Sequence, residues 1–477
     1  MHPIALLFNI PFLAVGIICA ASTLIPMLFA ALAFPGSSVI EAGPVFFGIY
    51  QLSLLAVIAG VCLRAVYGGL RYPPATLGFV LPYLGMFVWC VVITIVGPRI
   101  FQNAFYSVNA YSSFPTPVAP GTYNIVQLFA FVLQMVVLLL LYSQFSKLNA
   151  AKVDLWMKIG IVVTAALTLS QLATPGLYHF LSTNVFHNKT RGFFGVQEAA
   201  DFSRLSGPFS EPSALASWFT AALGYLVGTW NPKLSHKLLA LLCILILVIS
   251  TSSTSFVGLA IVAAMFMAMQ GRSVTSMLGV GIAMIALGVL GFFVFDYVYQ
   301  GAANEILNRV LFEKTDSDSF AIRMGLNIMA FKVFFESWGL GVGAGTHRPS
   351  SEICMILSNV GVIGLFFYLV IVLKRLVFPW LKLLMERRAG KGEDLDTRVA
   401  MGLLTMAMIG TVIAMALGGD MSASSIHRTM LYAFAAYILA PHAFGASKRS
   451  SARLGQIDRE RAHVDSGMTA LAASQRS

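Results

Sequence analysis

The run Leu238-Leu239-Ala240-Leu241-Leu242-Cys243-Ile244-Leu245-Ile246-Leu247-Val248-Ile249-Ser250-Thr251-Ser252-Ser253-Thr254-Ser255-Phe256-Val257-Gly258-Leu259-Ala260-Ile261-Val262-Ala263-Ala264-Met265-Phe266-Met267-Ala268-Met269 decides the fold. Its apolar character is broken only by the hydroxyl cluster around Thr251-Ser252-Ser253-Thr254-Ser255. A hydrocarbon core of roughly 30 Å takes about 20 apolar residues per helix. The cluster therefore reads as the turn of a tight hairpin between two spans, 237–251 and 254–270. The whole chain agrees: of 477 residues 58% are hydrophobic and only 11% charged, with a mean hydropathy of +0.81. Soluble domains carry roughly twice that charged fraction. The sequence is that of an all-α polytopic integral membrane protein.

Working outward from the hairpin, the same scan gives about twelve transmembrane helices. Besides the hairpin they lie near 4–32, 45–66, 76–98, 123–146, 156–177, 212–229, 276–297, 351–373, 400–419 and 425–443. Residues 1–444 read as a single transmembrane domain, and 445–477, rich in Ser, Arg, Gln and Ala, as a disordered cytoplasmic tail. The start, Met1-His2-Pro3, lacks the basic n-region of a cleaved signal, and the apolar stretch to Leu32 is too long for one. With both termini cytoplasmic, 21 of the 31 Lys and Arg lie inside against 8 acidic residues, a net +13; the outside holds 10 and 12, a net −2. That is the positive-inside pattern. It accounts for the overall charge of +11 without nucleic acid as a partner. Cys19, Cys62, Cys90, Cys243 and Cys354 are scattered singly, so neither a disulfide framework nor a zinc site is indicated.

Eight of the ten outside cations fall in two external loops, 178–211 and 298–350, against the global bias. The first holds Lys189, Arg191 and Arg204; the second holds Arg309, Lys314, Arg323, Lys332 and Arg348. Guanidinium groups from two loops suit a phosphate or pyrophosphate, whose oxygens match the bidentate fork of Arg. The alternative for any one of them is snorkelling to headgroups or pairing with Glu198, Asp201, Asp316 or Asp318. Glu211, just before Pro212 at the mouth of a span, is either a helix-capping anion or a catalytic carboxylate. Phe320, Met324, Ile328, Phe331 and Phe335 recur at spacings of three and four and predict an external amphipathic helix on the outer leaflet, with Arg323 and Lys332 toward the polar side. The glycines at 339, 341, 343 and 345 lack a surrounding βαβ unit; close backbone approach to a helix or a ligand explains them better than a dinucleotide fingerprint. His347 follows them, and a lone His at such a place is more often an ordinary interfacial residue than a catalyst. Asn188-Lys189-Thr190 matches a glycosylation sequon of the kind that arises by chance, and Asp420, His427 and Arg428 form a third outer polar group.

In order along the chain, Arg204-x-Ser206-Gly207-x-Phe209-x-Glu211-Pro212-Ser213, the hydroxyl turn Ser252–Ser255, Ser319-x-x-x-Arg323, Trp338-Gly339-x-Gly341-x-Gly343-x-Gly345 and Gly361-Val362-Ile363-Gly364 resemble the O-antigen polymerase and ligase superfamily, which includes the Wzy-type exopolysaccharide polymerases. The resemblance implies a GT-C-like glycosyltransferase of the bacterial inner membrane with its active site facing the periplasm. The donor it implies is an oligosaccharide on undecaprenyl pyrophosphate, with no metal, cofactor or nucleotide sugar. Arg204 and Arg323 occupy the positions that engage the pyrophosphate. Glu211 and His347 are the candidates for a general base, and Lys189, Arg191, Arg348, Ser350 and Ser351 for substrate binding. Ligases of the superfamily carry an essential His where, aligned on Gly361, this chain has Ser350, with His347 three residues earlier. That departure argues for polymerase over ligase.

Two readings from other classes stand beside this one. A lipid-linked oligosaccharide flippase or other transporter shares the span count, but transporters place ionisable groups within their spans and show repeat symmetry, and these spans are nearly free of charge. A non-catalytic partner in a polysaccharide export assembly, alongside a flippase and a chain-length regulator, is the other.

Overall fold

The computed structural model describes residues 45–68, 74–109, 114–142, 148–186, 205–231, 233–250, 252–270, 318–391, 394–417 and 425–444, with isolated pieces at 4, 7, 10, 13–14, 40–42, 198–199, 202–203, 293 and 297. The expected spans 4–32 and 276–297, the tail 445–477, and the candidates Lys189, Arg191 and Arg204 lie outside them.

In chain order the elements begin with β1 (Ile40–Ala42), β2 (Val45–Phe47), α1 (Ile49–Gly68) and α2 (Pro74–Ile100). There follow β3 (Tyr106–Ser107), β4 (Thr116–Pro117), α3 (Thr122–Tyr142), α4 (Ala150–Ala173) and α5 (Pro175–Leu181), which runs on as a π-helical turn over Ser182–Phe186. Then come β5 (Glu198–Ala199), β6 (Phe202–Ser203), α6 (Pro212–Thr229), α7 (Leu234–Ile249) and α8 (Ser253–Gln270). The last are α9 (Asp318–Glu336), α10 (Glu352–Ile371), α11 (Phe378–Arg388), α12 (Leu395–Leu417) and α13 (Ser425–Leu439). The strands form three antiparallel hairpins, β1–β2, β3–β4 and β5–β6.

This is a helical membrane protein. Among the described residues six helical stretches are long and apolar enough to cross a bilayer: Gly78–Ile100, Thr122–Leu140, Ala150–Ala173, Ser253–Gln270, Glu352–Arg388 and Leu395–Met415. Shorter apolar helices run over Gln51–Leu63, Leu234–Ile249 and Arg428–Leu439. The boundaries differ from the sequence reading in instructive places. Residues 45–47, expected to open a span, pair as β2 with β1, and the helix begins at Ile49. The span expected at 156–177 begins at Ala150, where the Asn149 side chain accepts from Lys152 N–H, and it ends at Ala173 because Pro175 starts a new helix. The hairpin is as expected: α7 ends at Ile249, α8 starts at Ser253, and the buried hydroxyls of Ser250 and Ser255 meet at 2.7 Å across the turn.

At the centre is α6, buried on nearly every side among α12, α8 and α7. A Cβ on Gly228 of α6 would come within 2.6 Å of Gly402 Cα on α12, so the two backbones touch where neither carries a side chain. Small residues at such a crossing let van der Waals packing replace the hydrophobic drive that lipid does not supply. The other half of the molecule is built on α10, which packs against α2 and carries α9 on its flank.

α10 is broken. Gly361 has φ 66° and ψ −165°, a conformation open essentially to glycine alone. The break frees carbonyls that other elements then use. Trp89 Nε1 donates to Val360 O at 2.6 Å, Val342 N to Ser358 O at 3.0 Å, and Gly343 N to Asn359 O at 2.8 Å. The donors at 342 and 343 belong to the glycine-rich loop after α9. Its glycines at 339, 341, 343 and 345 all have φ between 75° and 89°, and the loop threads between α2, α3 and α10 with Val342 and Ala344 fully buried. Non-helical backbone at such depth must have its polar groups satisfied by protein. Here Ala344 N donates to Thr94 Oγ1 at 3.0 Å, Asn124 Nδ2 donates to Ala344 O at 2.8 Å, and Gly341 N donates to Ser337 Oγ at 3.1 Å.

Candidate functional site

The loop before α6, the hairpin β3–β4 and the segment after the glycine-rich loop gather at one end of the bundle. Glu211 is the N-cap of α6 with extended backbone (φ −155°, ψ 157°), and its side chain makes no capping bond. Glu211 thus stands at the capping position of α6 without a capping hydrogen bond. Instead of capping, Oε2 accepts from Arg323 Nη2 at 3.0 Å, joining two loops separated by 112 residues. Both side chains are 34% exposed, so this is a solvent-reachable pair at the edge of the protein rather than a buried strut.

The approach to Glu211 is fixed from behind. Gln171 Oε1 on α4 accepts from both Ser206 N and Gly207 N at 3.1 Å, and Tyr178 on α5 donates to Gly207 O at 2.7 Å. Gly207, at φ 55°, sits where a Cβ would meet Thr168 Oγ1 at 2.3 Å. Phe209 is buried against Trp218 of α6, ring centroids 6.3 Å apart. Thus the Ser206-Gly207-x-Phe209 signature holds the chain down on α4 and α6 so that Glu211 emerges at a set place. Gln171 and Tyr178 were not singled out from the sequence, since a Gln and a Tyr near the end of a span carry no distinguishing pattern.

Arg323 is positioned by α9. One turn further on, Leu326 O accepts from His347 Nε2 at 3.1 Å and Asn327 Oδ1 accepts from Ser350 N at 2.9 Å. His347 is 2% exposed, and its Nδ1 lies 3.1 Å from Ser107 Oγ on β3. Ser107 Oγ also lies 2.7 Å from Thr346 O, and its one hydrogen serves either that carbonyl or, in the neutral ring whose Nε2 donates to Leu326 O, Nδ1 of His347; Asn359 brackets His347 from both sides: Oδ1 accepts from its N–H at 3.2 Å and Nδ2 donates to its C=O at 2.9 Å. Burial holds the imidazole pKa down at about 4, with the Leu326 carbonyl opposing that shift. His347 is thus a neutral ring tying α9, β3 and the loop together.

The remaining candidates take separate places. Arg348 is exposed, and its N–H donates to Val108 O at 2.8 Å. Ser351 is the N-cap residue of α10, and its hydroxyl donates to Met415 O on α12. Beside it Glu352, a carboxylate that sequence reasoning passed over as part of a span, is 1% exposed. Arg428 is exposed on α13. The structure therefore brings Glu211, Arg323, His347 and Ser350 into one neighbourhood through α9. No model of a known protein family matches the chain, and no curated protein matches it.

Proposed function

We propose that the protein is a polysaccharide polymerase of the bacterial inner membrane, with both termini cytoplasmic and the Glu211 end facing the periplasm. It joins undecaprenyl-pyrophosphate-linked oligosaccharide repeat units and releases undecaprenyl pyrophosphate. The observation that carries this reading is the Arg323–Glu211 pair, a guanidinium and a carboxylate set 3.0 Å apart and accessible at the mouth of the central helix. The order of the sequence signatures around it supports the same reading.

In this mechanism the acceptor hydroxyl attacks the anomeric carbon of the donor and the glycosyl–phosphate bond breaks toward the pyrophosphate. Negative charge grows on the leaving group, so an Arg fixed beside it stabilises the transition state more than the ground state. A pyrophosphate competes with Glu211 for Arg323. Once displaced, the carboxylate is available to take the proton of the acceptor hydroxyl. Glu211 suits that role better than His347, whose ring nitrogens are both engaged away from solvent. His347 acts as a positioning residue that fixes α9, and with it Arg323. Arg204, seven residues before Glu211, supplies the second cation.

The test is direct. Purified protein given undecaprenyl-pyrophosphate repeat units, with no other protein present, should produce a ladder of longer glycans. Translocation of the unit across liposomes without a ladder would overturn the proposal in favour of a flippase.

A further inference from the structure

Arg323 belongs to a row of hydrogen-bond donors on α9 that the reaction above uses only in part. Asn327 stands one turn further along the helix, where Cβ atoms are about 5–6 Å apart. Helical side chains lean back toward the preceding turn, so the amide overhangs the Arg323 position. Like Arg323 it is half-buried. One bond settles its orientation. Ser350 N–H can only donate, so the atom it meets at 2.9 Å is the amide oxygen, and the NH2 group is turned away from it.

Those two N–H groups have no partner among the described residues, and Nδ2 is not enclosed. Arg323 commits only Nη2, to Glu211, which leaves the rest of its fork open to solvent. A guanidinium and an amide thus present open donors side by side at the mouth of α6. The same row reaches Phe331 one turn beyond Asn327, exposed among the exposed side chains of Met324, Ile328 and Phe335. From Arg323 to Phe331 the helix rises about 12 Å. Along that face a cation gives way to an amide and then to hydrocarbon. A polyprenyl pyrophosphate read outward from its sugar has a matching order: the sugar-linked phosphate, the lipid-linked phosphate, then the chain.

We propose that Asn327 is a substrate-binding residue that makes the site prefer pyrophosphate over monophosphate lipids, its Nδ2 donating to an oxygen of the lipid-linked phosphate while Arg323 holds the sugar-linked one. The identity of the lipid rests on the polymerase reading above. An amide donates without adding charge, so it recognises the second phosphate and leaves to Arg323 the charge that grows as the glycosidic bond breaks. The competing role for Asn327, a strut that holds Ser350, uses the amide oxygen alone. Aspartate separates the two, since it keeps an oxygen for Ser350 N–H and has no N–H to give.

The full chain, purified in detergent and stripped of lipid, is titrated with undecaprenyl pyrophosphate and with undecaprenyl phosphate, and binding is read by native mass spectrometry and by the rise in unfolding temperature. The wild type should prefer the pyrophosphate. Asn327→Ala and Asn327→Asp should each bind it about tenfold more weakly, the scale of one hydrogen bond to a charged group, while Asn327→Ala binds the monophosphate as the wild type does. Without lipid, Asn327→Asp should unfold at the wild-type temperature, so its loss is one of recognition and not of folding. Wild-type binding by Asn327→Asp would reduce the residue to a strut. An equal loss of both lipids in Asn327→Ala, wild-type binding in both variants, or a wild type that does not distinguish the lipids would likewise overturn the proposal. Asn327-dependent binding in a protein that makes no glycan ladder would remove the polymerase reading and leave this site standing. A normal ladder from both variants at limiting lipid-linked substrate would remove the site and leave that reading.

Discussion

At the scale of single residues, the candidate site turns on which groups can change partner. Arg323 and Glu211 are each about one-third exposed and paired by one short bond, so a ligand can reach both. Arg323→Lys keeps the charge and loses the planar fork. It should lower glycan ladder formation by about 100-fold or more, the scale of losing a transition-state donor. Lys332→Ala, which removes only an exposed i,i+4 partner of Glu336 at 3.8 Å, should leave the ladder nearly unchanged. Comparable activity in the two variants would sink the assignment. Glu211→Gln keeps the shape and loses the base, so it should cut turnover by about 100-fold with little effect on donor binding. His347 gives a different signature, in stability. Its folded pKa of about 4 lies below the ordinary value of 6.5, so the unfolded chain takes up a proton between those values that the folded chain refuses. This contribution is complete above pH 6.5 and is lost progressively as pH falls toward 4. At about 1.4 kcal/mol per unit, it amounts to on the order of 3 kcal/mol. The unfolding temperature should therefore drop more steeply between pH 6.5 and pH 4 in the wild type than in His347→Gln; parallel profiles would show that the ring is not held neutral.

At the scale of elements, the glycines separate into those whose backbone geometry is required and those that are incidental. A Cβ on Gly361 would lie 2.3 Å from Gly339 O and from Leu340 C and O, and one on Gly341 would lie 2.6 Å from Asn359 O. These contacts are with backbone, which cannot rotate away, so Gly361→Ala should cost on the order of 3 kcal/mol or more and abolish recovery of folded protein. Gly325 on α9 has nothing within 4 Å of such a Cβ, and Gly325→Ala should be neutral or slightly stabilising through helix propensity, about 0.5–1 kcal/mol. Size-exclusion profiles of the two variants in detergent make the comparison, and similar profiles would refute it. The sequence made the presence of this backbone approach legible but not its partners, because the helices it touches are ordinary apolar spans. The same division runs through α9. Its apolar period was readable, and Met324, Ile328, Phe331 and Phe335 are exposed. The face that packs on the protein was not, since Ala330 and Val333 are small and Leu326 contributes a carbonyl.

At the scale of the whole molecule, hydropathy located helices at ten of the expected spans among the described residues, six stretches of them long and apolar enough to cross a bilayer. It could not order them laterally. That α6 lies at the centre follows from the Gly228–Gly402 crossing, a three-dimensional coincidence invisible in one dimension. It also explains why α6, though 18 residues long, is absent from the six stretches long and apolar enough to cross a bilayer: a helix surrounded by protein need not be as oily as one facing lipid. The ends of the bundle are consistently sorted. Arg323–Glu211 and His347–Ser107 share one, while Asp154–Tyr225, His236–Leu226 and His442–Glu386, the last at 3.0 Å, lie at the other. Which end faces the cytoplasm rests on the sequence reading, in which the loops expected inside hold 21 Lys and Arg against 10 in those expected outside. Single cysteines placed in a background lacking the five native ones should therefore react with a membrane-impermeant thiol reagent from outside at positions 190 and 315, and only after permeabilisation at 390 and 460. Periplasmic chemistry on a lipid-linked glycan requires that orientation. Labelling of 315 from the cytoplasm alone would invert the molecule, place Arg323 and Glu211 where nucleotide sugars are made, and remove the basis for a polymerase acting on exported repeat units.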